Sequence, residues 1–202
     1  MAGKKQFDMD TALDAAMIQF WRAGYADTSL DDLSRATGLN RSSIYSSLGD
    51  KDTLFLRCLD RYAARYGDKY DAALACAASE PLAALRAFFD VTLERIANPE
   101  LPDGCLIAQS AMAIPVLSPS VAAHAEQALG FQRLRLRAAL KAARLTDQDA
   151  EAFAVHAAAV NQSLAVMSRA GASPAQLMAI VGVTIDALSQ ALRATDPCGG
   201  RT

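Results

Sequence analysis

Residues 28–54 read TSLDDLSRATGLNRSSIYSSLGDKDTL, and the alternation of caps and breakers in this stretch decides the fold. Ser29 precedes an apolar-periodic run and is followed three residues later by Asp32, a capping-box-like pair that opens a short helix. Gly38 ends that helix, since a tight turn with positive φ costs a glycine least. Asn40 is the next N-cap candidate and starts a second short helix through about Leu48. Gly49 breaks it, and Asp50 caps a longer helix carrying Leu54, Cys58, Arg61 and Tyr62. Two helices of about eight residues, joined at Gly38-Leu39-Asn40, have the dimensions of a helix-turn-helix. Leu30, Leu33, Ala36, Leu39, Ile44 and Leu48 are expected to form its inner face.

Upstream, Leu13, Ala16, Met17 and Phe20 fall at i, i+3, i+4 and i+7, the buried stripe of a helix from about Asp8 to Ala23 that Gly24 stops. That stripe is where the inner face would pack. Left outward on the second short helix are Arg41, Ser42, Ser43, Tyr45, Ser46 and Ser47, a small polar surface with no acid among its own members. A helix this slender fits a major groove roughly 12 Å wide. Arg41 can reach a guanine edge or a phosphate, and Tyr45 a phosphate oxygen. Thr28, Ser29 and Lys51, each at a helix start, are expected to hold phosphates, with Asn40 beside them and Lys4 and Lys5 as a basic arm.

The charge balance is no advertisement for that partner. The 202 residues carry a net charge of −2, and residues 1–66 hold nine Lys+Arg and nine Asp+Glu. Phosphate contacts are local, whereas net charge governs only the far field, so affinity has to rest on placement. Apolar residues make up 52% of the chain and aromatic ones 6%, so the apolar content is mainly aliphatic and helix-forming. The four cysteines match no CxxC or zinc-ligand spacing, and His124 and His156 stand apart, so no metal and no cofactor are expected. No nucleophile elbow, phosphate loop or paired carboxylates of catalytic type occur, so an enzyme is not expected. The basic start lacks an apolar h-region, and charges interrupt every apolar run short of the roughly 18 residues a span needs. A cytoplasmic protein with reduced thiols, away from the membrane, follows as an expectation.

Beyond the first four helices the breakers predict longer ones: Pro81 to about Ala97, a short segment from Gly104 to about Ile114, a long helix after Pro119 to near Arg144, Asp147–Ala170, and Ser173 to about Ala194. The predicted fold class is all-α, with about nine helices: a three-helix helix-turn-helix domain over residues 1–50, then a larger helical domain over residues 51–202. Phe153, Ala157, Val160, Leu164 and Met167 form one apolar seam, and Leu177, Val181, Thr184, Leu188 and Leu192 another. The expectation is that both seams pair with a symmetry mate as a four-helix bundle; the alternative is that they face their own subunit's core.

Taken together, Gly24, Thr28-Ser29, Ala36-Thr37-Gly38-Leu39, Ile44-Tyr45 and Lys51-Asp52-Thr53-Leu54 closely resemble the start of the TetR/AcrR family of transcriptional regulators. One departure is that Ser46, Ser47 and Leu48 stand where the family pattern has aromatic or His residues and then Phe. The resemblance implies a repressor bound to a palindromic double-stranded DNA operator, a homodimer built by the last two helices, and a small-molecule inducer in the C-terminal domain. It further implies that the inducer shifts the helix beginning at Asp50 and so separates the two recognition helices.

Inward-facing candidates for the inducer site are Tyr62, Tyr66, Phe88, Phe89, Gln109, Met112, Phe131 and Asn161, of which Gln109 and Asn161 are polar in apolar surroundings. Cys105 follows Pro102-Asp103-Gly104 at a helix start, where the dipole favours a thiolate. The Gly-Cys-Leu-Ile sequence resembles one in a subset of the family that responds to oxidants or electrophiles, which makes a Cys105 sensor the alternative to a buried core thiol; Cys198 lies on the tail. A helical adaptor that binds protein and has no DNA affinity is the rival of another class.

Overall fold

A computed structural model describes residues 8–143 and 145–195. The basic arm expected at Lys4 and Lys5, the helix end near Arg144 and the tail thiol Cys198 lie outside the described residues. Nine α-helices occur among the described residues and no strand: α1 Met9–Ala23, α2 Leu30–Thr37, α3 Arg41–Ser47, α4 Lys51–Leu74, α5 Pro81–Ala97, α6 Leu106–Met112, α7 Pro119–Ala142, α8 Asp147–Arg169 and α9 Pro174–Thr195. A single 3-10 turn over Ile114–Val116 separates α6 from α7.

The caps account for most of these limits. Asp8, Ser29, Asn40, Asp50 and Thr146 each accept from a backbone N–H in the first turn of the helix they precede. The Ser29–Asp32 box closes in both directions. Gly38 adopts φ 71°, ψ 11°, the left-handed conformation that closes α2 and lets α3 leave at an angle.

The first three helices and the start of α4 enclose a core of Leu13, Met17, Phe20, Leu33, Ile44, Leu48 and Leu54, each at most 7% exposed. Burying an aliphatic side chain of this size contributes about 1.5–3 kcal/mol. Leu30 and Leu39 are half-buried against that core, while Ala36 is exposed, so the inner face of α2 is narrower than its sequence implied. The cause is the short reach of a methyl side chain on a helix whose burial is carried by Leu33 alone. Through Phe55, Tyr62, Tyr66 and Tyr70 on α4, the same core continues into α5, α7, α8 and α9. α4 therefore belongs mechanically to both halves.

The two seams face inward. Ala157 and Leu164 on α8, and Leu177, Val181, Thr184 and Leu188 on α9, are buried within the subunit, and Phe153, Val160 and Met167 pack half-buried against the core. α8 packs on α7 and α9, and α9 packs on α5, which consumes these rows. The outward rows carry Val155 and Val166 on α8 and Met178 and Val183 on α9, 45–71% exposed, with Ala159 and Ala179 among them. The exposed apolar residues of α8 thus lie opposite the expected seam, while on α9 Val183 and Ala179 face outward and Met178 flanks the seam beside α5. No helix among the described residues is long and apolar enough to cross a membrane.

Candidate nucleic-acid interface and interior cavity

α3 presents its outer face to solvent. Arg41, Ser42, Tyr45 and Ser46 are exposed, Ser43 is half-buried, and Ile44 and Leu48 anchor the helix below them. Asn40 is used structurally: its Oδ1 accepts from Ser43 N at 2.8 Å, which leaves its Nδ2 outward on the same edge. The Ser46 hydroxyl rests on Ser43 O at 3.3 Å.

Arg41 is not alone on this surface. Its Nε and Nη2 donate to the two carboxylate oxygens of Asp31, at 2.9 and 2.7 Å, across the turn from α2. Both side chains are more than half exposed, so the pair is breakable, but any other anion must compete with Asp31 for this guanidinium. The hydrogen bonds from Arg41 hold the Asp31 carboxyl below the usual range, so the competing charge persists near neutrality.

Two expected phosphate holders are otherwise engaged. Thr28 is fully buried, and its hydroxyl donates to Gly24 O at 2.6 Å, bracing the turn between α1 and α2. Ser29 commits its N–H and hydroxyl to Asp32. Hydrogen bonds from Ser29, then Arg35, pull the Asp32 carboxyl down to about 2, so the start of α2 already has its own anion. Lys51 lies with Nζ 4.3 Å from the centre of the Tyr25 ring. Tyr25 in turn donates its hydroxyl to Asp52, which also accepts from Ser118 Oγ at 2.5 Å. Burial first, and then Asp52, raise the Tyr25 phenol to about 12.

The C-terminal candidates do not form one group. Tyr62, Tyr66 and Phe131 line a cavity of about 210 Å³ with Tyr70, Gln132 and Arg135. Cys105 and Asn161 line a smaller pouch of about 20 Å³ that shares Tyr70, Ile107, Ala128 and Gln132 as common wall. Phe131 sits at the mouth, 42% exposed. Asn161 Nδ2 donates to Gln132 Oε1 at 3.2 Å and to the Tyr70 hydroxyl at 3.4 Å. Cys105 is the half-buried N-cap of α6, and its Sγ accepts from the Tyr62 hydroxyl at 3.3 Å.

Phe88 and Phe89 are fully buried core residues on α5, and neither lines these cavities. Gln109 faces a different gap beside Ala23, Gly24 and Tyr25, and accepts from Arg169 at 3.1 Å. Met112 ends α6 63% exposed, because the 3-10 turn at Pro115 breaks the helix before a second apolar row can bury it. Sequence reasoning missed Asp31 as the partner of Arg41, and Arg95, which is 5% exposed in the middle of the aromatic cluster. The signal for Arg95 was its register: it follows Phe88 and Thr92 by seven and three residues, on the buried face of α5.

The C-terminal half grips the end of α1. Arg169 on α8 donates through Nη1 to Trp21 O at 3.3 Å and through Nη2 to Arg22 O at 3.0 Å. Trp21 meets Tyr62 edge-on with ring centres 5.0 Å apart.

Two family models match the chain: "Bacterial regulatory proteins, tetR family" over residues 12–58, and "Tetracyclin repressor-like, C-terminal domain" over residues 81–184. The chain is 31% identical over 186 residues to the HTH-type transcriptional repressor ComR of Escherichia coli (strain K12), covering 90% of this chain and 89% of that one. Among solved structures, the TetR family transcriptional regulator CifR, a cysteine mutant complexed with 26-base-pair double-strand operator DNA, superposes with TM-score 0.80 at 28% identity, covering 91% of this chain and 98% of that one. A TetR family regulator from Agrobacterium tumefaciens superposes with TM-score 0.75 at 26% identity, over 88% of this chain and 95% of that one.

Proposed function

We propose that this chain, which belongs to the TetR family of bacterial regulatory proteins, is a transcriptional repressor that binds an operator as a homodimer and releases it when a small molecule enters its C-terminal domain. It is a DNA-binding regulator, and the observation that carries this reading is α3: a short, outward, acid-free helix face rigidly seated by Ile44 and Leu48. Arg41, Ser42, Ser43, Tyr45 and Ser46 read the major groove, while Asn40 and Lys51 meet phosphates. Residues 1–50 form the reading head and residues 51–202 the sensing and dimerising body, with α4 as the shared lever. The protein acts by binding, not by catalysis.

Dimerisation through the outward rows of α8 and α9 is supported by Val155, Val166, Met178 and Val183, which leave apolar area exposed on two adjacent helices. Release is supported by the route from cavity to head. Tyr62 and Tyr66 on α4 line the cavity and touch Trp21, and Arg169 ties α8 to the last carbonyls of α1. A ligand that displaces these aromatics moves α1 and α4 together and changes the separation of the two α3 helices.

Sequencing duplexes retained by the protein from a random pool tests this function. Enrichment of a palindrome whose half-sites are about 10–10.5 base pairs apart, or a multiple of that, is expected. No enrichment over the input pool would favour the protein-binding adaptor.

A second reading is favoured by one contact. Cys105 is half-buried against the Tyr62 hydroxyl, so modifying its sulfur would push on the same ring that meets Trp21. A mild electrophile then releases the operator from the wild type and fails to do so from Cys105→Ser; equal release from both rules the sensing role out.

A further inference from the structure

The aromatic cluster at the heart of the body holds a cation without a counterion. Arg95 is 5% exposed. Its Nη1 donates to Gly104 O, while its Nε has no hydrogen-bond partner. Its guanidinium lies 5.6 Å from the ring centres of both Trp21 and Tyr66. Among the described residues no carboxylate pairs with it. A buried charge is ordinarily paired, because the desolvation it suffers is not recovered otherwise. Ring faces recover part of it, as cation–π contacts, but leave the Nε donor unmet.

The same small pouch holds a second orphan. Asn161 is 3% exposed, and while its Nδ2 is satisfied, its Oδ1 has no partner. Arg95 and Asn161 both line this pouch, so the two residues with an unmet donor and an unmet acceptor border the same space. Behind Tyr70 and Gln132 it adjoins the larger cavity, whose walls include Tyr62 and Tyr66. At about 210 Å³, that cavity falls below the usual span of drug-sized sites and suits a single-ring body between tyrosine faces.

We propose that these paired cavities take a small aromatic hydroxycarboxylate, its anionic head against Arg95, its hydroxyl donating to Asn161 Oδ1 and its ring among the tyrosines, as the effector of the regulator. The effector role rests on the function proposed above, while the binding site does not. The carboxylate supplies the charge that Arg95 lacks, and a guanidinium matches a carboxylate in two parallel hydrogen bonds. The head enters between Tyr70 and Gln132, which requires the Asn161 bonds to both to loosen. Once paired, the guanidinium shifts off Trp21, and α1 feels the change directly.

Trp21 is the single tryptophan of the chain and touches Arg95, so its fluorescence reports binding with no DNA present. The probes are benzoate, 2-hydroxybenzoate and 4-hydroxybenzoate, each beside its neutral amide. Saturable change with at least one hydroxybenzoate, at least tenfold tighter than its amide and tighter than benzoate, is expected. Arg95→Gln should bring the acid-to-amide ratio close to one, whereas a merely structural role would weaken both members of the pair alike. Asn161→Asp places a carboxylate in the same pouch. It should weaken acid binding at least tenfold while leaving amide binding unchanged, and it keeps the test alive if Arg95→Gln fails to fold. The proposal is overturned if no hydroxybenzoate gives a saturable response, if benzoate or the amides bind as tightly, or if both variants bind acids as the wild type does. Because operator retention by the unliganded wild type is measured separately, failure of the carboxylate site and failure of DNA reading give different results.

Discussion

Replacing Asp31 by Asn should tighten operator binding and make it more sensitive to salt. In the free protein the Asp31 carboxylate holds Arg41 by two hydrogen bonds, and a dimer has two such pairs. DNA therefore gains each guanidinium only after an acid has been displaced, and the displaced acid remains beside the phosphates. Removing it adds about one effective phosphate contact per half-site. At roughly 0.9 in the log–log salt slope for each contact, two half-sites steepen the slope by about 1.8. Between about 50 and about 200 mM salt, that difference amounts to roughly a twelvefold change in relative affinity. Arg41→Ala should move the slope the other way by a similar amount. Fluorescence anisotropy with a labelled operator duplex over a salt series measures both. Parallel salt lines for wild type and Asp31→Asn would refute the competition argument, as would weaker binding by the variant at every salt concentration.

Other consequences are local. Ile44→Ala should cost about 2–5 kcal/mol in urea unfolding, because the side chain is fully buried in the core and its loss leaves a cavity. Gly49→Ala should lower the melting temperature more than Gly38→Ala: both have positive φ, but only at position 49 does an added Cβ meet another side chain, Thr53 at 2.8 Å. In acid, the folded pKa of Asp32 is depressed to about 2 from 3.8, so its contribution is present above about pH 4 and lost as pH falls toward 2. A circular-dichroism acid titration should show that loss reduced in Asp32→Asn. Burial raises the Cys58 thiol to about 12, so native protein treated with a thiol reagent at pH 8 should be modified at exposed Cys76 and spared at Cys58, as read by peptide mass.

What was legible in the sequence was local. The N-caps Ser29, Asn40 and Asp50 and the glycines at 24 and 38 act within four residues, so their neighbours in the chain suffice to read them. The faces of α8 and α9 were less legible for a physical reason. Both sides of each helix are apolar, with Ala157 and Leu164 against Val155 and Val166, and periodicity alone does not say which side a neighbouring helix covers. Met112 and Phe131 stand at positions that periodicity alone reads as inward, and only the break at Pro115 and the open cavity mouth expose them. Asp31 and Thr28 were illegible for another reason: their hydrogen bonds depend on partners at 41 and 24 that the turn geometry supplies. Arg95 lay in plain view at a buried register, but the counterion it lacks is a tertiary fact.

Methylation footprinting with dimethyl sulfate on the operator enriched from the random pool tests the central claim most directly, since it distinguishes guanine N7 in the major groove from adenine N3 in the minor. The account predicts guanine N7 protection in two symmetric patches, about 10–10.5 base pairs apart or a multiple of that, which Arg41→Ala diminishes in both. Protection of adenine N3 alone, or a single patch that Arg41→Ala leaves unchanged, would contradict a pair of α3 helices lying in successive major grooves.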